Sequence, residues 1–262
     1  MRAAGELVSL WRTHRERGRQ YTAWEWGIPW LDEHLGQPTP GDFIVVGART
    51  NVGKSYLTLG ALASVASSGS RAAYVSCEDP PTRVGRRLEA LGAPSTLLCG
   101  WPERRESGCV VRLLEEAAEA GCVVVGVDYL QCLAYSGGVA VFNEVGAAAR
   151  VVDDLKSAAG RVGVCLLAVS QIRRPPPTEA GAVPPFPRLW ELKETSRIED
   201  AAEAVLLLGP TRDRQGVRVE LAKSKDGEVG ASARLRRDPR TGVLVWGEEV
   251  LAEGGQGNGD GF

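Results

Sequence analysis

The chain has 262 residues, 44% of them hydrophobic, enough to bury the core of one large domain. Its 31 basic and 33 acidic residues nearly cancel, which excludes a global positive field and leaves any nucleic-acid site to local residues. The six cysteines include no Cys-x-x-Cys pair and have no nearby His, so they indicate neither a zinc ribbon nor a disulfide framework; Cys77, Cys122 and Cys165, in or beside apolar runs, read as buried free thiols. In chain order, residues 6–18 set Leu7, Leu10, Trp11 and His14 at helical spacing, predicting an amphipathic helix ahead of the main domain. Pro29 to Gly36 reads as a short helix opened by proline and stopped by glycine. From Asp42 onward, apolar strands predicted at 42–47, 72–77, 122–127, 163–169 and 204–208 alternate with helices near 54–67, 81–91, 108–120 and 142–160. That alternation predicts an α/β fold, a mainly parallel central sheet flanked by helices on both faces. The Pro-rich stretch 173–188 reads as a loop. Residues 216–223 and 229–236 flank Ser224-Lys225-Asp226-Gly227-Glu228 as a C-terminal antiparallel hairpin, and the Gly-rich residues 251–262 are expected to be a disordered tail.

The most specific run is Ala48-Arg49-Thr50-Asn51-Val52-Gly53-Lys54-Ser55, between the first predicted strand and the helix that follows. A strand, a loop of small residues ending Gly-Lys-Ser, and a helix form the context of a P-loop. Backbone N–H groups of the loop and the helix N-terminus suit a phosphate chain, because unpaired donors and the helix dipole favour negative charge. Lys54 is placed to reach the β- and γ-phosphates and the Ser55 hydroxyl to ligate Mg²⁺, so a nucleoside triphosphate, ATP, is the expected ligand.

Three further predicted strands end in polar residues, Glu78, Asp128 and Gln171. Ligands of open α/β sheets bind outside the carboxyl ends of the strands, so these positions belong to the same region as the loop. Asp128, after an apolar strand, has the Walker B arrangement that holds Mg²⁺ directly or through water. Glu78 suits the orientation or deprotonation of an attacking water, and Gln171 a contact with the γ-phosphate ahead of a long loop.

With those residues placed, the chain resembles the C-terminal motor domain of DnaB-type replicative helicases, within the RecA-like P-loop ATPases, from about Gly27 to Gly242. The motifs are Gly27-Ile28-Pro29-Trp30-Leu31-Asp32 with Pro40-Gly41-Asp42, the Ala48-Arg49 variant of the P-loop, Ser76-Cys77-Glu78, Asp128-Tyr129-Leu130-Gln131, and Ser170-Gln171-Ile172-Arg173. Leu192 to Glu199, followed by Ala201-Ala202, resembles the segment that holds single-stranded DNA in that family. The resemblance implies DNA contacts by Lys193, Glu194 and Ser196, with the loop from Ala134 to Val141 also facing a central channel. It further implies that Lys223 and Lys225 meet the γ-phosphate of a neighbouring subunit; position 225 departs from the pattern, where arginine is usual. The expected domains are an N-terminal helix or linker over 1–26, a RecA-like ATPase motor over 27–250 and the tail over 251–262, with no room for the family's N-terminal collar domain.

The implied function is an ATP- and Mg²⁺-dependent helicase motor, a homo-oligomer (a hexameric ring) that translocates on single-stranded DNA, with other replisome proteins as further partners. A RecA/RadA-like recombinase or recombination mediator is the alternative, and a regulatory ATPase without a DNA substrate a third. No apolar stretch is long enough to span a bilayer and no signal-peptide pattern stands at Met1-Arg2-Ala3, so the expected location is the cytoplasm, away from membrane.

Overall fold

A computed structural model describes residues 4–6, 9, 25–36, 38–133, 144–172, 184–192, 195–225 and 229–249. Most of the 6–18 helix, the loop 134–141, residues 173–183, Lys193, Glu194 and the tail 251–262 lie outside the described residues. The first element is helix α1 (Pro29–His34), which has proline in its first turn and Gly36 just beyond its end, at φ +59°. Strand β1 (Phe43–Ala48) leads into α2 (Lys54–Ser67), β2 (Arg71–Ser76), α3 (Pro81–Leu91), β3 (Leu98–Gly100) and α4 (Ser107–Glu119). Then come β4 (Cys122–Asp128), α5 (Glu144–Val162), β5 (Cys165–Gln171), α6 (Thr195–Ala201) and β6 (Ala204–Pro210), and β7 (Gly216–Ser224), β8 (Ser232–Arg237) and β9 (Leu244–Glu249) close the order.

Among the described residues the strands form one nine-stranded sheet in the order β3-β2-β4-β5-β1-β6-β7-β8-β9. Strands β1 to β6 pair in parallel, and β7, β8 and β9 add on antiparallel. The parallel strands are near-continuous apolar runs because both of their faces are covered. Side chains alternate between those faces. Ile44, Val46 and Ala48 join the core under α1 and α2, while Phe43 and Val45 join the core under α4, α5 and α6. The strands and helices expected from Asp42 to Leu208 are all present, and α2 and α3 have the expected bounds. Sequence reading did not include β3, β9 or α6; β3 is three residues long, too short to show a period.

Close approach of α2 to the sheet depends on Gly126 in β4. A Cβ there would lie 2.7 Å from Leu62 Cδ1 and 3.0 Å from Thr58 Cγ2. Substituting Gly126→Val should force α2 off the sheet and cost about 1–3 kcal/mol by overpacking. Urea unfolding of the variant tests this; unchanged stability would show that α2 seats without that close contact.

Candidate functional site

Strand order brings the polar strand ends together. β2, β4, β5 and β1 are consecutive in the sheet, with Ser76 opposite Asp128 and Ala48 opposite Gln171. The segments just past their carboxyl ends therefore stand side by side, as the switch-point rule for α/β sheets requires. They border a half-open cleft of about 440 Å³ lined by Lys54, Ser55, Glu78, Asp128 and Gln171, with Arg83 and Arg87 on one wall.

The loop itself closes with Gly53 at φ +126°, a conformation that L side chains rarely adopt, and α2 starts at the next residue. A Cβ on Gly53 would also approach Leu244 Cδ1 to 2.9 Å, so glycine is required by both torsion and space. Lys54 Nζ donates to the Ala48 and Arg49 carbonyls, at 3.1 Å each. Burial pushes its pKa down, against the opposing pull of Asp128 and Glu78. Asp128 is buried, and its Oδ2 accepts a 2.6 Å hydrogen bond from the Tyr74 hydroxyl. Glu78 is exposed at the rim, directly after the buried Cys77, whose thiol is pushed up to about 12, first of all by burial. Gln171 Nε2 donates to Thr50 Oγ1 at 2.9 Å, and its backbone N–H donates to Gln131 Oε1 at 2.9 Å, tying the end of β5 to the loop.

Arg49 has its side chain turned elsewhere. Its guanidinium donates to the Pro185 carbonyl at 2.6 Å and pairs with Glu191 at 3.1 Å, so it ties the P-loop to the segment 184–192. What Ala48, Arg49 and Val52 offer a phosphate is backbone, since Ala48 is fully buried in β1 and Val52 packs against the core.

Several cleft residues escaped the sequence reading. Asp79 pairs with Arg83 at 2.6 Å and with Arg87 at 2.5 Å, and the i,i+4 spacing of Asp79 and Arg83 was a usable signal. Arg87 also lies over the Tyr56 ring, 5.8 Å from its centroid. Arg237, at the end of β8, donates to the Val52 and Asn51 carbonyls. No local pattern marks it, because the fold of the C-terminal strands alone carries it to the loop.

Lys223 and Lys225 are not in this cleft. In the β6–β7 pair, Lys223 stands opposite Val205 and Ser224 opposite Ala204, at the amino end of β6 and the far edge of the sheet from the P-loop. Lys223 Nζ donates to the Glu199 carbonyl, and Lys225 Nζ to Glu203 Oε1 at 2.8 Å, the oxygen that Lys156 also reaches at 3.0 Å. Lys193 and Glu194 lie outside the described residues, as does the Ser196 side chain; the Ser196 backbone is in α6.

Among the described residues no group of three or more His, Cys, Asp or Glu forms a metal cage. Ser55 and Asp128 in one cleft fit a cation of another kind, one held mainly by phosphate oxygens and water with one or two protein ligands.

A glycine-closed loop at a helix N-terminus, beside a lysine, a buried aspartate and the polar ends of two further strands, defines a nucleotide-binding P-loop ATPase domain of RecA-like fold. The chain belongs to the AAA_25 family, described as an AAA domain, which matches residues 29–176. Similar solved structures include the ATPase domain of G40P, with a TM-score of 0.76 and 18% identity over 93% of this chain and 98% of that one. A DnaB-like replicative helicase, solved for its interactions with primase, has a TM-score of 0.73 and 18% identity over 84% of this chain. The present chain covers 62% of that helicase's length. The RadB recombinase follows at a TM-score of 0.61 and 19% identity, over 86% of this chain and 99% of that one. The fold is that of the DnaB-type RecA-like ATPase domain. No curated protein matches the sequence. No helix among the described residues is long and apolar enough to cross a membrane.

At the far edge, Glu203 has its carboxyl below the ordinary 4.5. Burial alone would raise it, and the hydrogen bonds from Lys225, the Phe43 N–H and Lys156 outweigh that. A depressed folded pKa contributes stability that is present above the unfolded value and lost as pH falls through the folded one. The stability difference between wild type and Glu203→Gln should therefore be full near neutral pH and shrink below 4.5. Urea unfolding across pH checks this, and a difference that persists in acid would contradict it.

Proposed function

We propose that residues 27–250 are the motor domain of a ring-forming DNA helicase of the DnaB type, working in the cytoplasm on single-stranded DNA. The observation that carries the reading is the alignment of Lys54, Glu78, Asp128 and Gln171 along one cleft at four adjacent strand ends. In this reading the backbone of 48–53 and Lys54 bind the triphosphate of ATP, and Ser55 and Asp128 hold Mg²⁺, which neutralises phosphate charge when bound. Glu78 orients the attacking water and takes its proton, and Gln171 reads the γ-phosphate through its link to Thr50. Lys223 and Lys225 stand at the opposite end of the strands from this chain's own cleft, which supports a reading in which they act in trans on the phosphate of a neighbouring subunit. A trans cation contributes ~10³–10⁵ in rate in related chemistry, and lysine lacks arginine's planar fork, so a slow, assembly-dependent ATPase is expected. Lys193, Glu194 and Ser196 contact the DNA, six copies in a ring compensating for the near-neutral charge of one. The DnaB-like relative's interactions with primase make other replisome proteins reasonable partners here.

A second reading is supported by the fold likeness to the RadB recombinase: a nucleotide-gated filament or ring on DNA in which hydrolysis resets binding. Strand separation of a forked DNA duplex with ATP and Mg²⁺ separates the two. Wild type should unwind, and Lys54→Ala should lose roughly 100-fold or more of the rate by losing charge stabilisation at the phosphates. DNA-stimulated hydrolysis without unwinding would favour the recombinase reading.

For the trans role, Lys54→Ala and Lys225→Ala subunits, each inactive alone, should recover part of the ATP turnover when mixed. Failure to recover any would place Lys225 outside the reaction.

A further inference from the structure

Tyr74 lies mid-strand in β2, wholly buried, and packing alone would be served equally by phenylalanine. Its partner across the sheet is Gly126 in β4, and Ser76 faces Asp128 two residues further along. The Tyr74 ring lies over Gly126: a Cβ built on that glycine would sit 3.5 Å from Tyr74 Cδ2. Glycine thus clears the path for the ring to run along β4 toward its carboxyl end. Two residues of strand advance about 6.6 Å, which matches the reach of a tyrosine from its Cα to its hydroxyl. The hydroxyl ends 2.6 Å from Asp128 Oδ2.

A buried phenol needs a hydrogen-bond partner, and here that partner is the Walker B carboxylate. Asp128 makes no other side-chain hydrogen bond among the described residues, so its Oδ1 is left to the cleft that Asp128 lines. Without the hydroxyl, the carboxylate would be free to turn about its own broad χ2 torsion.

We propose that Tyr74 is a positioning residue for the metal that accompanies the nucleotide: its hydroxyl fixes Asp128 so that one carboxylate oxygen is held and the other faces the cation. This inference rests on the reading of Asp128 as the Mg²⁺ residue. Partners that orient a metal ligand are typically worth about 10- to 100-fold in metal affinity or activity. The low end applies here, because Asp128 acts beside Ser55 and the phosphates rather than as sole ligand.

The test is a titration of Mg²⁺ into the full chain with a fluorescent ATP analogue, read as nucleotide binding rather than turnover. Tyr74→Phe keeps the ring and removes the hydroxyl. Its metal-free nucleotide affinity should stay within about twofold of wild type, which also reports an intact P-loop, while its Mg²⁺ half-saturation should rise about 10-fold. In an Asp128→Ala background, the same substitution should have no further effect on Mg²⁺ dependence. An unchanged half-saturation in Tyr74→Phe would overturn the proposal, and so would an equal loss of metal-free affinity, which marks a packing role. An effect that persists without Asp128 would also overturn it. If wild-type binding itself shows no Mg²⁺ dependence, the reading of Asp128 fails first and the proposal with it.

Discussion

Parallel hydrogen bonding of β2, β4, β5 and β1 is the constraint on which the rest of this molecule depends. Neighbouring strands stand about 4.8 Å apart, so the pairing sets the spacing of everything mounted at their carboxyl ends. The registers Ser76 to Asp128 and Ala48 to Gln171 are held against sliding, because a one-residue slip would send every side chain of a strand into the opposite core, which is packed for other residues. Fully buried strands on both faces give that register its energetic weight. Chemistry at the cleft is therefore positioned by the core and not by the loops.

Charge at the cleft is arranged in pairs. Lys54, half-buried, lies within the electrostatic reach of Asp128 and Glu78, and the buried Asp79 is matched by Arg83 and Arg87. A buried charge is tolerated when it is paired and hydrogen-bonded, and these groups satisfy that condition within the chain. Arg49 extends the same logic outward, since its pair with Glu191 joins the P-loop to the segment that precedes Lys193. Gln171 makes a second connection, from Thr50 to the end of β5. The phosphate loop is thus linked physically to both ends of the connection that runs from β5 to α6. The opposite edge holds Lys223, Lys225 and Lys156 around Glu203 and the end of α6, so the two cationic regions of one chain face different ways.

Much of this was legible in the residues. Apolar strands alternating with helical segments determined the α/β class, and Gly-Lys-Ser between a strand and a helix determined the phosphate loop. Asp128, Glu78 and Gln171 could be chosen because each closes an apolar run, a local signal. β9 and α6 were not read: β9 is fixed by pairing with β8, and α6 is a short helix with Ile198 and Ala201 held against the core. Their stability comes from contacts distant in sequence, and no window of neighbours reports those.

The sequence by itself thus determined which chemistry this protein carries, because a P-loop and polar strand ends are properties of consecutive residues. Only the tertiary structure decided who serves whom within the site. Arg49 looks like part of the phosphate cradle and instead pairs with Glu191, Arg237 crosses from β8 to hold the loop, and Tyr74 reads as core and holds Asp128. Each of these pairings joins residues 54 to 185 positions apart, brought together by strand order and helix packing. A side chain's partner is set by the face it leaves and the element packed there, and local sequence encodes the face without the partner.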